Sequence, residues 1–237
     1  MSAHDRHYAI MDLERHQDER IGPALHTALM RMPDGAGLDC VVKALMHRCY
    51  KPAEADLLAL FTRLPNDAYA KNALAQALAA FRCKEAIPEL LRLRQEFAKD
   101  HEEHKGILAS LDLALLRLTG DWGEAGEGAR LHVLSPEQPR LGEKMELTVH
   151  LENKGTEPIE RLPLPREMGL RVDGEKVFKE EFFIIMGPGD HLDPGDVRTF
   201  TCDLAPYVKT PGRHQVQYVD HGARSNVAAF TVRAAKP

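Results

Sequence analysis

The sequence has no run approaching the ~18 apolar residues of a membrane span. Its charged start, MSAHDRHYAIMDLERH, lacks the apolar core of a signal peptide. A cytoplasmic location is therefore expected. An excess of positive charge is missing too: 31 Lys and Arg face 36 Asp and Glu, a formal net charge of −5. That balance removes the electrostatic footprint of a binder of nucleic acid or anionic membrane, so neither partner is expected. Most of the negative excess lies in the second half of the chain.

Cysteine is sparse. Cys40, Cys49, Cys83 and Cys202 form no CxxC pair and no zinc-ligand spacing. Three lie in helical stretches and one in a strand-like stretch, which predicts reduced core thiols. Catalytic motifs are lacking as well. There is no Walker loop, no dinucleotide-binding glycine pattern, no G-x-S-x-G elbow around Ser110, Ser135 or Ser225, and no local signature of a catalytic thiol. Neither catalysis nor a cofactor is expected.

What is present is an ordinary soluble composition, 43% hydrophobic and 28% charged, long enough for one large or two ordinary domains. The chain is organised around residues 66–120. There Ala70, Leu74, Ala77, Leu78 and Phe81, then Ile87, Leu90, Leu91 and Phe97, then Leu108, Leu111, Leu115 and Leu118 recur at three- and four-residue steps. That period stacks apolar side chains on one side of a helix, and each helix must bury its stripe on a neighbour. Earlier stretches repeat the pattern, one opening at Ile21-Gly22-Pro23 and the others set off by breakers at Pro33–Gly37, Pro52 and Pro65, giving about seven helices joined by short turns.

The pattern changes after GDWGEAGEG, residues 120–128, a glycine-rich linker holding the only tryptophan, Trp122. A lone Trp at such a junction is expected to pack between domains rather than hold a ligand. From residue 129 short runs alternate with period two, as in Met145, Leu147, Val149 and Leu151, separated by Asn153-Lys154-Gly155, Asp173-Gly174, Pro194-Gly195-Asp196 and Pro211-Gly212. About seven strands in this length predict a two-sheet sandwich.

The stretch NALAQALAAFRCKEAIPELLRLRQEF resembles a HEAT-type repeat, and ILASLDLALLRLTGD is similar to the close of such an array. LTVHLENKGTEPI, LDPGDVRTFTCDL and TPGRHQVQYVDHGARSNVAAFTV resemble a bacterial immunoglobulin-like module. The resemblances cover about 38–121 and 129–233. They imply a multidomain α plus β chain: a HEAT-like α-solenoid over 1–120, a linker at 121–128, and an immunoglobulin-like antiparallel β-sandwich over 129–237.

The histidine pairs His4/His7 and His101/His104 lack the i, i+4 spacing of a zinc-protease helix. Asp190, Asp193 and Asp196 lack the ligand order of a calcium loop and read as turns. No metal site is expected. What remains is surface, and it predicts a non-catalytic protein-binding protein, a stoichiometric inhibitor or adaptor, with a toxin-neutralising immunity protein as one form. The alternative is a structural spacer of a larger extracytoplasmic assembly. The expected contacts with a protein partner, such as a toxin or secreted enzyme, are Glu89, Arg92, Glu96 and Lys99 on the helices and Glu180, Glu181, Asp190 and His191 on the sheets.

Overall fold

The structure, a computed structural model, describes residues 8–10, 12–13, 16, 18–32, 37–65, 68–100, 104–126, 128–159, 169–177, 191–220 and 222–235. The chain divides into two compact units, Met1–Gly120 and Asp121–Pro237. The first is helical and the second is built of antiparallel sheet.

The main helices of the first unit are α1 (Ile21–Arg31), α2 (Leu38–His47), α3 (Glu54–Arg63), α4 (Ala68–Phe81), α5 (Ile87–Phe97) and α6 (Lys105–Thr119). Pro88 sits in the first turn of α5, where its missing N–H costs nothing. Helices α2, α4 and α6 pack side by side, while α1, α3 and α5 lie against α2, α4 and α6 respectively. The core between them holds Val42, Leu45, Leu57, Phe61, Leu74, Leu78, Leu90 and Leu93, each fully buried. Burying a side chain of this size stabilises by roughly 1.5–3 kcal/mol. Along α5 the buried stripe is Leu90, Leu93 and Phe97, with Leu91 left 45% exposed. The expected membership of Leu91 is corrected: one residue past Leu90 it is turned about 100° away.

The turns α2–α3 and α4–α5 are copies of one another, offset by 33 residues (82 − 49). At the first, Cys49 has φ +50°, and the N–H groups of Tyr50 and Cys49 donate to Leu45 O (3.0 Å) and Met46 O (2.9 Å). At the second, Arg82 has φ +65°, and Cys83 and Arg82 donate to Leu78 O (2.9 Å) and Ala79 O (3.2 Å). A left-handed residue with this pair of bonds closes a helix by satisfying its last carbonyls. Each then runs through a short 3-10 turn, Lys51–Ala53 or Lys84–Ala86, into the next helix.

The second unit has strands β1 (Ala129–Leu134), β2 (Glu146–Asn153), β3 (Leu170–Val172), β4 (Glu175–Lys176), β5 (Val197–Asp203), β6 (Gly212–Asp220), β7 (Ala223–Arg224) and β8 (Ala228–Val232). They form a three-stranded sheet, β1-β2-β5, and a five-stranded sheet, β4-β3-β6-β7 with β8 on β6. Alternate residues of both sheets enter one core, where Leu131, Val149 and Phe200 join Val216, Tyr218 and Phe230. Phe200 and Tyr218 meet edge to face at 5.5 Å.

Residues 121–126 hydrogen-bond into this unit. Gly123 N–H donates to Leu131 O (3.3 Å), Gly126 N–H to Ala129 O (2.9 Å), and Glu124 O accepts from Arg224 N–H (2.9 Å). The Asn226 side chain continues this edge of β1, accepting from Val133 N–H (2.8 Å) and donating to Val133 O (3.1 Å). Asn153 is fully buried; its amide donates to Glu157 O and Leu192 O and accepts from Gly155 N–H, all at 2.8 Å.

Candidate functional site

The densest group of chemically capable side chains lies on the polar face of the three-stranded sheet. In β1 and β2 the residues Leu131, Val133, Val149 and Leu151 point to the core, so Arg130, His132, His150 and Glu152 take the opposite face. Register sets them in pairs, Arg130 opposite Glu152 and His132 opposite His150. Arg130 is ion-paired with the buried Glu152 and lies 3.9 Å from the Trp122 ring centroid, so its charge is shared between a carboxylate and an indole face.

His132 and His150 are 6% and 8% exposed, with rings stacked at 6.2 Å and 21°. Nδ1 of His132 lies 2.6 Å from Asp121 O. A carbonyl only accepts, so Nδ1 carries the proton and Nε2 of the neutral ring holds a bare lone pair. Among the described residues no hydrogen-bond donor reaches that Nε2, although it is buried. Nδ1 of His150 is 2.8 Å from Thr199 Oγ1. Burial lowers both imidazoles below the ordinary histidine range, His150 to about 4 with a further push from His132. Neither residue sits in a recognisable motif. The clue available in the sequence was a histidine at a polar-face position in each of two alternating strands, and their partnership depends on register.

On the helical unit, Lys71 of α4 is 2% exposed; its ammonium donates to Phe61 O and lies 3.4 Å from Glu89 Oε1. Glu89 is also held by Arg92 through two bonds of 2.7 Å, and Arg92 reaches Glu96 at 2.7 Å. Three of the expected partner contacts, Glu89, Arg92 and Glu96, are thus brought together, but to neutralise one another and Lys71. Lys99 is exposed in the 3-10 turn Ala98–Asp100. His191 is exposed beside Asp193 at 3.6 Å. Glu180, Glu181 and Asp190 lie outside the described residues, as do His4, His7 and His101. His104 packs edge-on against Phe97 at 4.8 Å.

The repeated turns carry basic residues, Arg48 and Lys51 in one and Arg82 and Lys84 in the other; at the 33-residue offset Lys84 matches Lys51, while Arg82 takes the place of Cys49. Lys51 is 60% exposed, pairs with Glu54 and donates to Phe81 O at the end of α4. Arg82 donates to Arg117 O at the end of α6 (2.6 Å), and Lys84 is exposed. Cations at helix C-termini are favoured by the carbonyls left without partners there. Cys83, behind the second turn, stands within 4.8 Å of Glu54 and Glu85. Its thiol is pushed up to about 11, chiefly by burial and then by those carboxylates, so it stays protonated.

No family model matches the sequence, and no curated protein matches it. Among solved structures the chain is similar to a Pseudomonas fluorescens alkylpurine DNA glycosylase, AlkC, bound to DNA containing an abasic site analogue. The identity is 19% and the TM-score 0.30, over 96% of this chain and 68% of that one. Several expectations are corrected against it. The resemblance to HEAT-like repeats and an immunoglobulin-like module is withdrawn, leaving helices followed by two small antiparallel sheets. Also withdrawn are the non-catalytic inhibitor, adaptor or immunity protein, its spacer alternative and its protein partner, together with the exclusions of catalysis and nucleic acid, since that protein is an enzyme seen on DNA. The exclusion of nucleic acid rested on net charge, an average that is blind to where cations gather. At a likeness of this degree no activity passes to this chain.

Proposed function

We propose that the chain binds a nucleic acid backbone through the repeated basic turns of its helical unit. The supporting observation is the 33-residue repeat, which presents Lys51 and Lys84 at equivalent positions, with Arg48 and Arg82 elsewhere in their respective turns. Helices packed side by side are about 8–10 Å apart, so two such turns span roughly two to three phosphates of one strand. Glu54 and Glu85 lie beside these lysines, and the whole chain is acidic at −5. Binding is consequently modest and carried by few contacts. With Z near two, log K falls against log salt with a slope of about −2.

The same repeat supports reading the helical unit as a short α-solenoid, and the shared core of the two sheets supports a β-sandwich. We treat them as separate domains, about 1–120 and 129–237. Cysteines standing as thiols suit the cytoplasm. The test is fluorescence anisotropy of labelled single- and double-stranded 20-mers between 50 and 200 mM salt. Saturable binding that Lys51→Glu/Lys84→Glu weakens by about tenfold supports the reading. No binding at about 100 μM protein and 50 mM salt, with the protein folded by circular dichroism, would end it.

A further inference from the structure

We propose that His132 and His150 form a transition-metal site on the polar face of the three-stranded sheet, taking a borderline divalent ion such as Zn²⁺, Ni²⁺ or Cu²⁺ through their Nε2 atoms. This inference is independent of the nucleic-acid reading, which concerns the other unit.

Three features converge. The residues are directly opposed across β1 and β2, so neither backbone needs to move to bring the rings together. Asp121 O fixes the His132 tautomer by accepting from Nδ1, which leaves Nε2 with the lone pair a metal needs. The remaining nitrogen, Nε2, is a buried acceptor that no described residue satisfies, and leaving such an atom without a partner is destabilising. An ion answers that need.

The spacing fits. A metal–nitrogen bond of about 2.0–2.1 Å plus the distance from Nε2 to the ring centre puts an ion about 3.2 Å from each centroid. Two imidazoles sharing it are then at most about 6.4 Å apart, and about 5.2 Å at a tetrahedral angle. The observed 6.2 Å lies inside the linear limit and about 1 Å above the tetrahedral value, so the rings also draw together on binding. The rings are near parallel at 21°, so binding requires each to turn about its Cβ–Cγ bond until the lone pairs converge, and the His132 ring then exchanges its Nδ1 bond to Asp121 O for the metal. Borderline imidazole nitrogens without carboxylate ligands favour Cu²⁺, Ni²⁺ and Zn²⁺ over Mg²⁺ or Ca²⁺.

Trp122 lies 5.6 Å from His132 and is the only tryptophan, so its emission reports an ion bound here. Titrating the intact chain with Cu²⁺ should quench it saturably at a 1:1 ratio, and calorimetry with Zn²⁺ should give the same stoichiometry. His132→Gln and His150→Gln should each weaken both by tenfold or more, while His214→Gln should leave them unchanged. Ligation should also shift the Nε2 resonances of His132 and His150 in histidine-selective ¹⁵N spectra. The chain holds twelve histidines, so an adventitious ion only is the competing result. Quenching that persists in folded His132→Gln and His150→Gln, or no shift at either Nε2, overturns the proposal.

Discussion

The buried ammonium of Lys71 lies 3.4 Å from the half-buried carboxylate of Glu89, joining α4 to α5. Burial pushes the lysine below its ordinary range. Hydrogen bonds from Arg92 above all, helped by Lys71, hold Glu89 below its own. Removing one partner leaves the other charge buried without compensation. Glu89→Gln should destabilise by about 2–3 kcal/mol in urea unfolding. Lys71→Met, which keeps the apolar stem against Phe61, should cost less than Lys71→Ala. A loss below about 0.5 kcal/mol for Glu89→Gln would show that the pair is a surface interaction.

A second expectation concerns acid. His150 has a folded value of about 4, below the 6.5 of an ordinary histidine. As pH falls the unfolded chain therefore takes up the proton first. The stability associated with the neutral, buried ring is complete above about pH 6.5 and is lost down to about pH 4, on the order of 3 kcal/mol in all. His150→Gln should flatten this part of the pH–stability curve relative to the parent. Parallel curves for the two proteins between pH 7.5 and 4.5 would contradict it.

His214 behaves in the opposite sense. Its Nδ1 meets Asp173 Oδ2 at 2.7 Å and its Nε2 meets Thr210 O at 3.0 Å. Both partners accept, so both bonds are made only by the imidazolium. The Asp173 hydrogen bond is the main reason the histidine is raised. Burial alone would raise Asp173, but bonds from Gln215 N–H and His214 bring it below its ordinary value. The histidine's contribution is complete below pH 6.5 and fades as pH rises through its folded value. The aspartate's is present above pH 3.8 and fades as pH falls through its own. Asp173→Asn should move the His214 NMR titration to lower pH and destabilise by about 1 kcal/mol at pH 6. An unchanged titration would refute the coupling.

Gly123 admits no side chain. A Cβ there would collide with the backbone of Arg224 and Ser225, which cannot swing aside as a side chain could. Gly123→Ala should cost more than about 2 kcal/mol. Gly142→Ala provides the contrast of strain without a clash: φ is +81°, yet nothing lies within 4 Å. Its expected cost is nearer 1 kcal/mol. Equal effects would remove steric contact as the cause.

Much of the helical unit was legible because period and burial agree. Leu74, Leu78, Leu108 and Leu111 were marked by spacing and are buried. Arg117, 2% exposed and donating to Gln76 O at 3.2 Å, was invisible to a rule that sorts charge outward. The turns at Cys49 and Arg82 were hidden for a related reason. Both take the left-handed conformation without glycine, so no residue type announced them. In the sheets, Phe230 and Val232 are buried while Val227 is 55% exposed, so apolar character alone does not mark the inward positions of this last stretch. The candidate sites were least legible. Glu89, Arg92 and Glu96 were legible only as surface charge, because sequence does not show that Lys71 packs against Glu89. The His132–His150 pair depends on which strands are neighbours, information carried by the fold as a whole.

The identical closures at Cys49 and Arg82 also make the helical unit modular. A segment that begins and ends at the same point of a repeated turn re-enters the chain with its conformation unchanged. Duplicating residues 50–82 would insert one further hairpin with both junctions already compatible, and deleting them would rejoin Cys49 to Cys83 across equivalent geometry.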